Sequence, residues 1–145
     1  MDELSLNNIL LTPLKRIPTV GGDVLHALKK SDIGYNGFGE VYFSCIDEGA
    51  VKAWKCHKKM TMNIIVPVGE ARIVFHIEDR GGFFRSEIIG EESYSRIYVP
   101  PGIWFGFQGI GKNQSLIMNF SDIVHDPNEV LHKPLNYFNY NWENK

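Results

Sequence analysis

Glycine interrupts this chain too often for helices to dominate it. Gly21-Gly22, Gly34, Gly37, Gly39, Gly49, Gly69, Gly81-Gly82, Gly90, Gly102, Gly106, Gly109 and Gly111 cut it into short pieces. Between them lie VYFSCI, AVKAW, MNIIVPV, ARIVFHIE, FRSEII, SRIYV and SLIMNFS, rich in β-branched and aromatic residues. Seven or more short strands at this spacing specify an all-β sandwich or barrel. Helical patterning is confined to Leu4–Leu11 and Asp23–Lys30. With 145 residues the chain has the length of one domain, 1–145, and chains of this size bury about two-thirds of their extended surface.

Alternation assigns the faces of the strands. Ala71, Ile73, Phe75 and Ile77 form an apolar side facing a core, and Leu116, Met118 and Phe120 read the same way against Ser115, Ile117, Asn119 and Ser121. MNIIVPV lacks a polar face beyond Asn63, as expected of a strand covered on both sides, and Pro67 marks a bulge or an edge. In residues 50–57, Val51, Ala53, Lys55 and His57 share one side and Lys52, Trp54 and Cys56 the other. The tail LNYFNYNW carries too many aromatics to stay in water, so it packs on the barrel or on a partner subunit.

Fifteen Lys+Arg against seventeen Asp+Glu leave a charge of −2, which excludes a polyelectrolyte field for nucleic acid. No apolar run reaches the ~20 residues of a membrane span, and the N-terminus lacks the basic-then-apolar layout of a signal peptide. A cytoplasmic protein is expected. Residues 38–46 and 50–57 are expected to pair as a hairpin about Asp47-Glu48-Gly49. Cys45 and Cys56 would then lie ~17 Å apart at ~3.4 Å per residue, beyond the ~7 Å reach of a disulfide. Two free thiols follow.

GAVKAWKCHKK, followed by RIYVPPGIWFGFQG, has the two-part layout of a cupin barrel: a strand with alternating polar side chains, then a strand leading into a PxG turn. The fold class is therefore expected to be an all-β cupin jelly roll. The cupin metal pattern is a His-x-His with a Glu, and a later His after the PxG glycine. Here Lys55, His57, Thr61 or Met62, and Phe105 occupy those places. One histidine does not hold a divalent ion, so no metal and no other cofactor is expected.

Within cupins, AVKAWKCH, MNIIVPVG, VPPGIWFGF and SLIMNFSDIVHDP resemble the dTDP-4-dehydrorhamnose 3,5-epimerases and the sugar-nucleotide 3,4-ketoisomerases, over Pro18 to Trp142. The resemblance implies proton abstraction beside the C4 ketone of a nucleotide-linked 4-keto-6-deoxy sugar, in deoxysugar or polysaccharide biosynthesis, by a homodimer. The epimerases' basic His falls on Lys55 and their acidic Tyr near Asn119, so both groups are changed. The ketoisomerases' second His matches His57, a residue type suited to general-base work. Lys55 would hold an enolate oxygen as a cation, and Lys52 stands where the family has a phosphate-binding Arg. As an inward-facing ammonium, Lys55 must meet an acid, water or an anion, because burial of an unpaired charge is costly. Trp54, Trp104, Arg72 and Asn119 complete the substrate-binding candidates. His26, His76, His125 and His132 show no partner spacing and read as surface or structural.

Two readings remain open on the sequence. One is an epimerase or ketoisomerase built on His57 and Lys55. The other is a catalytically degenerate cupin that binds a sugar nucleotide or serves structurally, favoured by the missing His and Tyr and by the absence of the usual C-terminal extension with its acidic partner.

Overall fold

The computed structural model describes residues 3–143. After a 3₁₀ turn at Leu6–Asn8 come twelve strands: β1 (Leu10–Pro13), β2 (Arg16–Ile17), β3 (Val24–Leu25), β4 (Glu40–Ile46), β5 (Val51–His57), β6 (Met62–Val68), β7 (Glu70–His76), β8 (Phe84–Gly90), β9 (Ser95–Val99), β10 (Trp104–Gly109), β11 (Ser115–Ser121) and β12 (Val130–His132). They form two five-stranded antiparallel sheets, ordered β1-β9-β6-β11-β4 and β12-β5-β10-β7-β8, beside the small β2-β3 pair. The chain passes from one sheet to the other after β4, β5, β6, β8, β9, β10 and β11, so most strands pair with partners distant in sequence. That wrapping makes a jelly roll. The all-β class is as expected, but the two helical stretches are not: one holds only the 3₁₀ turn and β1, and Asp23–Lys30 contains β3.

Residues 38–46 and 50–57 do not form the expected hairpin. β4 pairs with β11, whereas β5 pairs with β10 and β12 in the opposite sheet. The connection at Asp47-Glu48-Gly49 is a corner between sheets, and Cys45 and Cys56 are both free.

The main core lies between the sheets, where Met62, Ile64 and Val66 of β6 meet Ala71, Ile73 and Phe75 of β7 and Ile97 of β9. At Pro67 the register of β6 against β11 slips, with Met118 opposite Ile65 but Leu116 opposite Val68. A proline lacks the N–H that an unbroken ladder would need there. On β11 the faces are the reverse of expectation. Ser115, Ile117, Asn119 and Ser121 are buried inside the barrel, while Leu116, Met118 and Phe120 lie half-buried on its outer surface. Alternation separates two faces without saying which is inside, and here the interior is a polar cavity.

The aromatic tail packs on its own barrel, over the outer face of β5, β10 and β7. Phe138 and Trp142 each approach Trp54 with ring centroids 5.4 Å away, and the Trp54 indole N–H donates to the Leu135 carbonyl at 3.1 Å. Gly106 makes the seat: a Cβ there would fall 2.6 Å from Ala53 Cβ and 3.1 Å from the Trp142 ring.

Candidate active site

The site begins with one extra residue in β5. Phe105 stands opposite Lys55, but Gly106 stands opposite Ala53, so Trp54 has no partner in β10. Such a bulge rephases the strand. Simple alternation sets Lys52 and Lys55 on opposite faces; with Trp54 bulged, both line one cavity, opposite Phe107 and Phe105 respectively. The sequence assignment of Lys52 to the outer side is thereby corrected. The Trp54 ring swings to the outer surface instead, under the tail.

The cavity opens between the edges of the two sheets. Its compartments of about 310 and 90 Å³ share Ser44, Lys55, Phe105, Phe107, Ile117 and His132. One wall comes from β5 and β12. His57, 6% exposed, places Nδ1 2.6 Å from Glu129 Oε2 and stacks on Phe105 at 5.7 Å. Glu129, 2% exposed, accepts with its other oxygen from the backbone N–H groups of Lys59 (2.9 Å) and Met60 (2.8 Å). Burial pushes the Glu129 carboxyl upward, but the hydrogen bonds from His57, Met60 and Lys59 outweigh it and hold the group below the usual carboxylate range. An ionised carboxylate requires a donor at Nδ1, which in the neutral imidazole leaves the lone pair on Nε2. Nε2 makes no hydrogen bond with the described residues, and the ring borders the cavity.

Strand pairing explains how residues 72 positions apart meet. Val130 pairs with His57 across β12 and β5, and Lys58 N–H donates to the Glu129 carbonyl at 2.8 Å. Glu129 lay outside the sequence candidates, and no local spacing marks it. His132, which pairs with Lys55, and His125 are exposed, in keeping with the surface reading, and both also border the cavity.

Lys52 and Lys55 are exposed at the mouth. Of the partners required of an inward-facing ammonium, Lys55 has water, because the cavity is open there. Lys52 Nζ donates to the Cys45 carbonyl at 2.8 Å. With Lys133 they make a cationic rim, which His132 also borders, and among the described residues no carboxylate shares the cavity lining.

The facing wall is neutral: Tyr42 and Ser44 of β4, Ile117 and Asn119 of β11. Asn119 sits opposite Tyr42 in register, and its amide N–H donates to the phenol oxygen at 2.9 Å. Its own Oδ1 is buried without a partner among the described residues. Tyr42 was not a sequence candidate, although its alternation with Ser44 and Ile46 was a usable signal. Two proposed binding residues, Trp104 and Arg72, lie outside the cavity lining, and Trp54 only borders its larger compartment. The rings of Trp54 and Trp104 pack in the cluster beneath the tail, and Arg72 donates to Ser86 Oγ at 3.3 Å, outside the cavity lining. Among the described residues no group of three or more His, Cys, Asp or Glu is placed to hold a metal ion, and no helix is long and apolar enough to cross a membrane.

A jelly roll enclosing a His–carboxylate pair, a cationic rim and a phenol defines a cupin barrel equipped for proton transfer. No family model matches the chain. Over 94% of its length and 92% of the other's, it is 32% identical to a dTDP sugar isomerase from Desulfovibrio desulfuricans G20, with a TM-score of 0.88. The 3,4-ketoisomerase QdtA from Thermoanaerobacterium thermosaccharolyticum, solved with TDP, shares the fold at 20% identity and a TM-score of 0.74, covering 89% of this chain and 90% of that one. A probable low-salt glycan biosynthesis epimerase, Agl13 of Haloferax volcanii, is 29% identical over 91 residues; the match spans 59% of this chain and only 58% of that relative. The chain belongs to the family of sugar-nucleotide isomerases and epimerases built on the cupin barrel.

Proposed function

We propose that this protein is an isomerase or epimerase of nucleotide-linked 4-keto-6-deoxy sugars, acting in the cytoplasm in glycan or deoxysugar synthesis without a cofactor. The observation that carries the reading is the buried His57–Glu129 pair, which leaves Nε2 unpartnered at the cavity. Nε2 takes the proton from the carbon beside the C4 ketone. The released electron pair forms a C=C bond, and the negative charge moves onto the C4 oxygen, where Lys55 is the nearby cation. Collapse of the enolate takes a proton back at carbon. Tyr42, on the opposite wall, supplies it at the same carbon for inversion; for carbonyl migration the C3 hydroxyl proton passes to the C4 oxygen, and His57 returns its proton at C4 as the C3 carbonyl forms. Lys52 at the rim suits the diphosphate, and the unpartnered Asn119 Oδ1 suits a sugar hydroxyl. The active form is taken to be a homodimer.

Deuterium wash-in tests the chemistry. The protein is incubated in D₂O with dTDP-, UDP-, GDP- and CDP-linked 4-keto-6-deoxy sugars, and label at C3 or C5 is read by NMR. Exchange with at least one substrate is expected. Tight binding without exchange by any of them would make the chain a binding module instead.

A further inference from the structure

The bulge in β5 is held from outside the barrel. Trp54, the residue without a partner in β10, turns its backbone the other way. Its N–H donates to the Lys133 carbonyl at 3.0 Å, and its carbonyl accepts from the Lys133 N–H at 3.1 Å. Its ring is buried among Phe84, Phe138 and Trp142. Trp142 also grips β10. Its carbonyl accepts from the Gln108 side-chain amide at 2.8 Å, and its ring lies over Gly106, 3.1 Å from where a Cβ would stand. One tail residue therefore spans the bulge and the stretch of β10 that faces Lys52 and Ala53.

Without the bulge the strands would pair differently. With Lys55 kept opposite Phe105, Trp54 would stand opposite Gly106, Ala53 opposite Phe107, and Lys52 opposite Gln108 on the outer face. That pairing restores the ladder position that a bulge interrupts. It also needs the Trp54 side chain beside Gly106, where the Trp142 ring already sits. The His57 end of β5 cannot take up the slip: Val130, Leu131 and His132 pair with His57, Cys56 and Lys55, and Glu129 holds the His57 ring. Movement falls on the residues before the bulge.

We propose that Trp142 is a positioning residue for Lys52: seated over Gly106, it excludes the unbulged pairing and keeps Lys52 beside Lys55 on the cavity wall. Trp142 is not part of the cavity lining, so it acts through strand register alone. The effect on turnover rests on the reading of Lys52 as a diphosphate contact; the effect on register does not.

Trp142→Ala, made in the full chain, tests both. NMR reads the register: cross-strand NOEs from Lys52 to Phe107 and from Ala53 to Gly106 should weaken, while those from Lys55 to Phe105 and from Cys56 to Trp104 persist. Kinetics reads the consequence. Trp142→Ala should raise KM several-fold at nearly constant kcat, the signature expected of Lys52→Ala, and Trp142→Phe should stay near wild type. In the Lys52→Ala background, Trp142→Ala should add nothing. Unchanged NOEs, or a KM rise that adds to that of Lys52→Ala, would overturn the positioning role. So would a variant that only melts at a lower temperature. A wild type that exchanges no 4-keto sugar nucleotide would overturn the enzyme reading instead, and the NOEs would still decide the role of Trp142.

Discussion

The two walls of the cavity are built on opposite electrostatic plans. The β5–β12 wall carries Lys52, Lys55, His57, His132 and the buried Glu129, whereas the β4–β11 wall offers only hydroxyl and amide groups from Tyr42, Ser44 and Asn119. The charged wall is fixed by its own network: Glu129 receives hydrogen bonds from His57, Lys59 and Met60. The neutral wall is held by the Asn119 amide, which donates to the Tyr42 phenol oxygen and to Met60 Sδ, and keeps an acceptor unspent. Base strength and charge stabilisation are thus concentrated on one side of a bound sugar. Stereochemical outcome and hydroxyl recognition fall to the other.

Removing the base should erase the contrast most fully. His57→Asn keeps a polar group beside Glu129 but has no basic nitrogen, so wash-in should fall at least ~100-fold with the fold intact by circular dichroism. Disabling the neutral wall alone comes next. Tyr42→Phe should lower net inversion on the order of 100-fold while wash-in survives largely unchanged, because abstraction belongs to the other wall. If both rates fell together, the division between the walls would be wrong.

Glu129→Gln separates charge from shape and should lower exchange about tenfold, by weakening the base and its orientation. It also has a pH signature. The folded-state pKa of Glu129 lies below its ordinary value, so its stabilising contribution is complete above about pH 4.3 and is lost as acid passes through the lowered value. Thermal melts should therefore show the advantage of wild type over Glu129→Gln shrinking as pH falls below ~4. The smallest effect is expected at the rim. Lys52→Ala should raise KM several-fold with kcat nearly unchanged, since an exposed lysine holds ground and transition states alike. Initial-rate kinetics will distinguish these.

Much of this was legible in the sequence. Short strands between glycines gave the all-β class, and the core face of β7 followed from Ala71, Ile73 and Phe75 alone. His57, Lys55, Lys52 and Asn119 are marked as candidates by the sequence alone. Long-range register was the part the residues could not display. Glu129 reaches His57 only because β12 pairs with β5, and Tyr42 meets Asn119 only because β4 pairs with β11. A local template also fails at a bulge: Trp54 reads as a substrate-binding candidate, but as the unpaired residue of β5 its ring turns outward. β11 misled for a related reason, since its more polar face points inward to the cavity.

The tail carries a consequence for spectroscopy. All three tryptophans of the chain, Trp54, Trp104 and Trp142, lie in or against the single cluster at the back of the β5–β10–β7 sheet. Intrinsic emission from this protein therefore reports in large part on whether residues 135–142 are seated. A red shift in mild denaturant would time the release of that strap, ahead of or together with global melting.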